Sequence, residues 1–271
     1  MMTETSVDPP TEAGIVMEEE EVEQKVERVT SFIEDTVENA GADGAVLGIS
    51  GGIDSTTTAY LAVEALGADS LHGLVMPSEV NTEENMSDAE RVAQDLGIEY
   101  DVLEIDPIFE AFTDTYPEGT NDELAAGNVR VRIRAVLNYY VANYENRVVL
   151  GTGNRSEALV GYFTKYGDGA VDCHPIGNLY KCQVRQLARH LGVPEDLVMQ
   201  TPSAEMWDGQ TDEGELGMTY DTLDAILALH IDGELSIAET AERVNIDQGL
   251  VERVGDLVVE SEHKRRMPPT P

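Results

Sequence analysis

The segment Gly48-Ile49-Ser50-Gly51-Gly52-Ile53-Asp54-Ser55 combines the residue types that a phosphate site requires. Two adjacent glycines let the backbone bend sharply and approach a ligand closely, since neither carries a Cβ atom. Ser50 and Ser55 add hydroxyl groups, and Asp54 adds a carboxylate that can hold a magnesium ion bridging phosphate oxygens. The pattern therefore predicts a phosphorylated ligand bound together with Mg²⁺.

Apolar residues on either side of this segment predict the elements that position it. Residues 45–49 form a run long enough for one buried strand, and residues 55–66, followed by Gly67, are typical of a helix. The segment then lies at a strand-to-helix turn. The N–H groups at the start of the helix point into that turn, and the helix dipole favours an anion there.

Two common nucleotide motifs are absent from the sequence. It lacks Gly-x-x-x-x-Gly-Lys-Ser/Thr, and no lysine lies near residues 48–55, so the turn is not the common P-loop. It also lacks Gly-x-Gly-x-x-Gly, the fingerprint of dinucleotide-binding folds. A glycine-rich turn with a purely structural role remains the alternative at this point.

Strand-like and helical patterns alternate along the chain. Strands are predicted over residues 45–49, 71–76, 99–105 and 147–151, and helices over residues 17–40, 55–66, 86–96, 108–112, 122–143 and 180–191. This alternation predicts an α/β fold with a doubly wound parallel sheet and helices on both faces. Ligands bind such sheets at the carboxyl ends of the strands, where the Ser-Gly-Gly turn lies.

Length and composition predict one soluble domain. A chain of 271 residues can bury a substantial core, and a single domain over residues 17–271 is the simplest division. Residues 1–16 contain Pro9-Pro10 and no apolar periodicity, which predicts a flexible acidic tail. No stretch of 18 apolar residues and no signal sequence occurs, so we expect a cytoplasmic protein. Cys173 and Cys182 fit no zinc or Cys-x-x-Cys pattern and are interpreted as reduced and structural.

The chain is strongly acidic. Its 53 acidic residues outnumber 17 basic ones, which gives a net charge of −36. An acidic disordered protein is one interpretation, but 41% apolar residues with clear periodicity argue against disorder. The composition instead resembles that of proteins from extreme halophiles, which function in concentrated salt.

A second glycine-rich region follows the last predicted strand. It consists of residues 151–157 and 163–169, and both parts would face the same crevice as residues 48–55. Nine of the seventeen basic residues fall between Arg130 and Arg189. This concentration predicts an anionic ligand, whereas a nucleic acid would need an extended basic face that the flanking regions lack. Residues 202–217 are polar and glycine-rich and are predicted to form a functional loop or lid.

With these motifs together, the chain resembles the ammonia-dependent NAD synthetases. Residues 48–55 resemble the pyrophosphate loop of the wider N-type ATP pyrophosphatase superfamily. The more specific features are Phe163-Thr164-Lys165-Tyr166-Gly167-Asp168-Gly169 followed by Asp172, the loop from Pro202-Ser203 to Glu215-Leu216-Gly217, and His263-Lys264-Arg265. The resemblance implies an adenine nucleotide α hydrolase-like fold and a homodimer. It also implies a ligase that converts ATP, deamido-NAD and ammonia to NAD, AMP and pyrophosphate through an acyl-adenylate, the last step of NAD biosynthesis.

The resemblance also implies roles for individual residues. The implied ATP contacts are Gly48, Ile49, Ser50, Gly51, Gly52, Ile53, Asp54, Ser55, Thr152, Lys181 and Ser203. The implied deamido-NAD contacts are Arg132, Lys165, Asp172, His263 and Lys264. Asp54 and Glu157 would be the Mg²⁺ ligands and, with Asp172 as a candidate general base, the catalytic residues.

Two segments depart from the family pattern. Gly153-Asn154-Arg155-Ser156 replaces Asp-His-Ala-Ala, and Cys173 stands where an aliphatic or amide residue is expected. We expect neither to touch the implied contacts. Two other functions stay open: another adenylating or amidating enzyme of the superfamily, and a non-catalytic nucleotide sensor, against which retention of both Asp54 and Glu157 argues. About 44 residues precede the first predicted strand, too few for an amidase domain, so we expect ammonium rather than glutamine to supply the nitrogen.

Overall fold

A computed structural model describes residues 8–80, 83–203, 207 and 209–271, without the side chains of residues 83–85. Its central sheet has four strands, β1 (Ala45–Gly48), β2 (Leu71–Val75), β3 (Glu99–Val102) and β4 (Val148–Leu150). Their order is β3-β2-β1-β4, and all three pairings are parallel. The prediction of a doubly wound parallel sheet is confirmed.

Helices connect and cover these strands in the described part of the chain. They are α1 (Pro9–Ala13), α2 (Glu19–Ala40), α3 (Ile53–Leu66), α4 (Glu83–Leu96), α5 (Asp106–Thr115), α6 (Glu123–Glu145), α7 (Arg155–Val160), α8 (Lys181–His190), α9 (Glu195–Val198), α10 (Asp212–Leu216), α11 (Tyr220–Ile226), α12 (Ile237–Val244), α13 (Gln248–Glu260) and α14 (Glu262–Arg265). A π-helical turn, Leu227–Asp232, continues α11. No helix in this described part is both long and apolar enough to span a bilayer.

Alternate residues of β1 point to opposite faces of the sheet. Leu47 packs with α2, α3 and α8 on one face, and Val46 packs with α5 and α6 on the other. Both side chains are fully buried, and each such burial contributes about 1.5–3 kcal/mol to stability. This arrangement explains the continuous apolar run of β1, because a central parallel strand is covered on both sides.

A separate core cluster joins α7 and α10–α13. Tyr220, Leu223, Val251 and Val254 are fully buried within it. Ser236 caps α12 by accepting a hydrogen bond from the backbone N–H of Glu239, as the Ser-x-x-Glu pattern indicates. This cluster brings the C-terminal part of the chain against the helices that follow β4.

The N-terminal segment packs where a flexible tail was predicted. Pro10 is buried in α1, and the carbonyl groups of Glu12 and Ile15 accept hydrogen bonds from Arg243 and Gln183. Ile15 also contacts the C-terminal core cluster. Residues 8–16 thus make contacts that the sequence pattern did not indicate, because isolated apolar residues and backbone acceptors hold the segment without any periodic pattern. Residues 1–7 lie outside the described residues.

Candidate active site

A cavity of about 860 Å³ opens at the carboxyl ends of the strands. The turn after β1 forms one wall, and the segments after β2 and β4 form others. The two glycine-rich regions of the sequence therefore face one crevice, as predicted. Trp207, Gln210, Asp212 and Glu215 of the predicted lid also line the cavity; residues 204–206 and 208 lie outside the described part.

Hydrogen bonds of Ser50 and Ser55 hold the turn between β1 and α3 in its conformation. Gly51 adopts a φ of +85°, a left-handed conformation that residues with a Cβ rarely adopt. The hydroxyl groups of Ser50 and Ser55 lie 3.1 Å apart, and the hydroxyl of Ser55 donates to the carbonyl of Gly52 at 3.0 Å. Gly52 is the N-cap residue of α3 and provides no side-chain cap, which leaves N–H groups of the first turn for a bound anion.

A buried lysine joins the two predicted metal ligands. The ammonium of Lys181, at the start of α8, donates to Asp54 Oδ2 and lies 3.2 Å from Glu157 Oε1. Lys181 is only 2% exposed, whereas the two carboxylates remain partly accessible from the cavity. Three chain segments, after β1, after β4 and at the start of α8, thus converge on one point.

The cap of α7 fixes the position of Glu157. Asn154 Oδ1 accepts a hydrogen bond from the backbone N–H of Glu157, and Glu157 Oε2 accepts one from the N–H of Asn154. Asn154 also donates from Nδ2 to Asp54 Oδ1 at 2.9 Å. The expectation that this departing segment avoids the implied contacts is therefore wrong. The side-chain amide of Asn154 links Asp54 to the residue Glu157.

Asp212 and Tyr220 complete the charged centre, although sequence reasoning did not select them. The Tyr220 hydroxyl lies 2.9 Å from Asp212 Oδ2 and 3.4 Å from Glu157 Oε1, and the Lys181 ammonium lies 4.7 Å from the ring centroid. Both residues are buried, and Asp212 Oδ1 has no hydrogen-bond partner among the described residues. A tyrosine within the apolar pattern of α11 was the available signal, since a buried hydroxyl needs a polar partner.

The electrostatics of the centre favour an additional cation. Burial, followed by the charge of Asp54, raises the pKa of Glu157. Burial lowers the pKa of Lys181, but Asp54 and Glu157 outweigh it and raise that pKa above its usual value. Asp54, Glu157 and Asp212 together bring three carboxylates against one ammonium. These four side chains leave a net charge of about −2 when all are ionised, which one divalent cation would neutralise.

The donor set fits Mg²⁺ bound jointly with phosphate. Mg²⁺ commonly takes one or two carboxylates and completes its shell with water and substrate phosphates. Asp54 and Glu157 supply two carboxylates beside the phosphate turn, and the described residues contain no cluster of three or more His, Cys, Asp or Glu side chains suited to a metal ion. A metal held by the protein alone is not indicated by these residues.

A basic rim lies across the same cavity. Arg132, Lys165, His263 and Lys264 line it, as do the implied ATP contacts Thr152 and Ser203. Lys165 donates to the carbonyl of His263 at 2.5 Å, and Arg132 donates to the carbonyl of Lys165 at 3.1 Å. Lys264 donates to the carbonyl groups of Gly161 and Phe163 at 2.7 and 3.0 Å. The C-terminal helix α14 is therefore fastened to the segment after α7.

Asp172 is not brought to this cavity. Its carboxylate accepts hydrogen bonds from the N–H of Val149 at 2.7 Å and from the hydroxyl of Tyr139 at 3.1 Å. The residue is exposed beside β4 and does not line the cavity. Gly51 does not line it either and instead shapes the turn.

The sequence matches the family described as NAD synthase over residues 25–268. This chain belongs to the NAD synthase family. Among its curated relatives is the NH3-dependent NAD(+) synthetase of Halobacterium salinarum, 63% identical over 251 residues, covering 93% of this chain and 94% of the relative. The enzyme of the same name from Methanocaldococcus jannaschii is 46% identical over 254 residues, covering 93% and 98%. The halobacterial relative agrees with the halophilic composition of this NAD synthase.

Solved structures of other NAD synthases and of an NMN synthetase share the fold. The NH3-dependent NAD synthetase of Campylobacter jejuni superposes with a TM-score of 0.78 at 30% identity, covering 94% of this chain and 99% of that one. The NMN synthetase of Francisella tularensis superposes with a TM-score of 0.79 at 36% identity, covering 92% and 98%. Because an NMN synthetase and an NAD synthetase share this fold, the fold by itself does not distinguish the two activities.

Proposed function

We propose that this NAD synthase is a ligase that amidates deamido-NAD with ammonia, consuming ATP and releasing AMP and pyrophosphate. The observation that carries the proposal is the convergence of Asp54, Glu157 and Lys181 on the phosphate turn, inside a cavity whose other rim is basic. The names of the curated relatives support the same reaction.

The need for ATP follows from the chemistry of the acceptor. A nicotinate carboxylate is anionic and has no good leaving group, so ammonia cannot displace one of its oxygens. Attack of that carboxylate on the α-phosphate of ATP forms an acyl-adenylate and releases pyrophosphate. Ammonia then adds to the acyl carbon through a tetrahedral oxyanion, and AMP leaves.

The residues of the cavity would divide this work between them. The N–H groups of residues 48–55 and the N-terminus of α3 bind the β- and γ-phosphates, with Thr152 and Ser203 as further ATP contacts. Lys181 holds Asp54 and Glu157 in place, since its buried ammonium contacts both carboxylates. These two carboxylates would hold Mg²⁺, which when bound neutralises charge on the departing pyrophosphate.

The basic rim would bind the dinucleotide. Arg132, Lys165, His263 and Lys264 present cationic or donor groups to its phosphates and carboxylate. Asp172 stays a proposed deamido-NAD contact and candidate base, although a single chain does not place it in the cavity. It adjoins α6 through Tyr139.

We also propose that α6 mediates a homodimer. Val136, Tyr140 and Tyr144 recur every four residues on this helix and are 68%, 72% and 87% exposed. Large apolar side chains aligned on one helical face favour burial against a partner. A second copy on this face would approach both Asp172 and Arg132.

A dependence on ATP favours a cytoplasmic location for the enzyme.

A product assay tests the function directly. Purified enzyme in concentrated KCl would receive ATP, Mg²⁺ and ammonium with either deamido-NAD or the deamidated mononucleotide, and the products would be separated by chromatography. We expect NAD and AMP in equal amounts, and little turnover of the mononucleotide. Preferred turnover of the mononucleotide would instead indicate an NMN synthetase. Formation of ADP, or turnover with glutamine but not ammonium, would contradict the proposal.

A further inference from the structure

Asp224 is a buried carboxylate outside the cavity that contacts both helices carrying the charged centre. It is fully buried in α11. Its Oδ2 accepts a hydrogen bond from the backbone N–H of Cys182 at 2.8 Å, in the first turn of α8. Its Oδ1 accepts one from the hydroxyl of Ser156 at 2.5 Å, in the first turn of α7.

Ser156 extends this link to the lysine of the site. Its Oγ accepts a hydrogen bond from the backbone N–H of Lys181 at 3.0 Å, while its hydroxyl proton is donated to Asp224. Ser156 itself is buried and immediately precedes Glu157. One carboxylate thereby connects the backbone that carries Lys181 to the helix that carries Glu157.

The physical chemistry favours hydrogen-bond acceptors at this position. The first N–H groups of a helix have no partner within the helix, and those of Lys181 and Cys182 are satisfied by Ser156 and Asp224. Loss of these acceptors in a buried setting would leave two backbone donors unsatisfied, so the first turn of α8 would shift or open.

We infer that Asp224 is a positioning residue for the reaction, which holds Lys181 and Glu157 at the spacing that the charged centre requires. It touches neither substrate, because it does not line the cavity. Its action runs through the two helix starts. The inference rests on the proposed function, since it concerns the rate of that reaction.

The test compares Asp224→Asn, Asp224→Ala and Ser156→Ala in steady-state assays of NAD formation. Asparagine keeps the shape and an acceptor for the N–H of Cys182, so kcat should stay within about threefold of wild type. Asp224→Ala and Ser156→Ala should each lower kcat at least tenfold with little change in the KM for deamido-NAD, since the basic rim is untouched. Hydrogen exchange should accelerate in peptides covering residues 180–186.

Ile98→Val is the matched control for a loss of stability alone. Ile98 is buried in the core of the sheet and does not line the cavity. It should lower the melting temperature without changing kcat or exchange at residues 180–186. Wild-type kcat in Ser156→Ala, or in a folded Asp224→Ala, would overturn the inference. Absence of NAD formation by the wild-type enzyme would instead overturn the proposed function.

Discussion

The ammonium of Lys181 lies within hydrogen-bonding reach of both Asp54, which follows β1, and Glu157, which follows the neighbouring strand β4. It does so while only 2% exposed. A compact cation is required there, because two carboxylates, the Tyr220 ring and buried backbone enclose it. The sequence has thirteen arginines but four lysines, so a lysine at this point is not explained by composition.

We therefore expect Lys181→Arg to lose at least tenfold in kcat/KM, about 1.4 kcal/mol of transition-state stabilisation. A guanidinium is wider and rigidly forked, and it cannot occupy the ammonium position without displacing its neighbours. Lys165→Arg should behave similarly, since Lys165 reaches a single carbonyl oxygen at the rim. Lys25→Arg on α2 is the control and should be silent. Near-wild-type rates for both site variants would show that charge alone matters.

Lys264→Arg should weaken the binding of deamido-NAD, because Lys264 fastens α14 to two carbonyl groups after α7. Its replacement should raise the KM for deamido-NAD at least threefold. Arg266→Lys is the control, because Arg266 pairs only with the exposed Glu262 in the described contacts. An unchanged KM for deamido-NAD would contradict this role of Lys264.

Removing either proposed metal ligand should weaken activation by Mg²⁺. Asp54→Asn and Glu157→Gln keep side-chain size but remove one charge, so each should lower kcat/KM about 100-fold, or ~2.7 kcal/mol, and raise the half-saturating Mg²⁺ concentration. Titration of Mg²⁺ at saturating ATP measures this. Asp196→Asn, at a surface pair with Arg91, should leave both values unchanged. Identical Mg²⁺ curves for wild type and both site variants would exclude these residues as ligands.

The sequence predicts the site residues that lie close together in the chain, but it does not predict those that meet only through tertiary packing. Residues 48–55 carry their strand, turn and helix within one short segment, and the structure places that turn as predicted, although α3 begins at Ile53 rather than at residue 55. Asp212 and Tyr220 reach the same point only through the packing of α10 and α11. The contact between Asn154 and Asp54 was not predicted for the same reason, because it joins two turns that are far apart in the sequence.

Element boundaries failed where capping chemistry overrode periodicity. The third strand was predicted over residues 99–105 but ends at Val102, and α5 begins at Asp106, earlier than the predicted residue 108. Pro107 at the second position of α5 explains this, because proline favours a first helical turn. Beyond the assigned strand, the backbone N–H groups of Leu103 and Ile105 still donate to the carbonyl groups of Val75 and Pro77, so the hydrophobic run continues beside β2 until α5 begins.

The stability of the fold should depend on pH through Asp224. Burial raises its pKa to about 6, above an unfolded value of about 3.9. The folded state therefore binds this proton more tightly, so the contribution is present below pH ~4 and is lost as pH rises through about 6. Relative to Asp224→Asn, the free energy of unfolding of the wild type should fall by up to about 3 kcal/mol between pH 4 and 7. Denaturant titrations at fixed salt measure it, and a pH-independent difference would contradict the assignment.

Salt should stabilise the protein. The net charge of −36 repels itself over a Debye length of ~30 Å at 0.01 M salt but only ~3 Å at 1 M. The melting temperature should therefore fall as KCl is diluted, with sucrose at matched osmolality as the control for solvent exclusion. A melting temperature that stays constant or rises on dilution would contradict adaptation to concentrated salt.

The proposed dimer can be tested on α6. Tyr140→Glu places a charge in the middle of the exposed apolar stripe, so it should shift the enzyme from dimer to monomer in light scattering at high salt. Val259→Glu is the control, since Val259 is 73% exposed on α13, outside that stripe. A wild-type monomer, or a Tyr140→Glu dimer, would exclude this face as the interface.

The order of the strands also bears on how the chain folds. Ala45 of β1 pairs with Leu71 across a short stretch of chain, but with Val148 across a far longer one. Closing the longer loop costs more entropy and delays formation of its contacts. A β1-β2-β3 unit is therefore expected to form before β4 docks. Asp54 follows β1 and Glu157 follows β4, so both carboxylates are in place to bind the nucleotide only after β4 has joined the sheet. ATP should therefore bind the complete fold rather than its folding precursors.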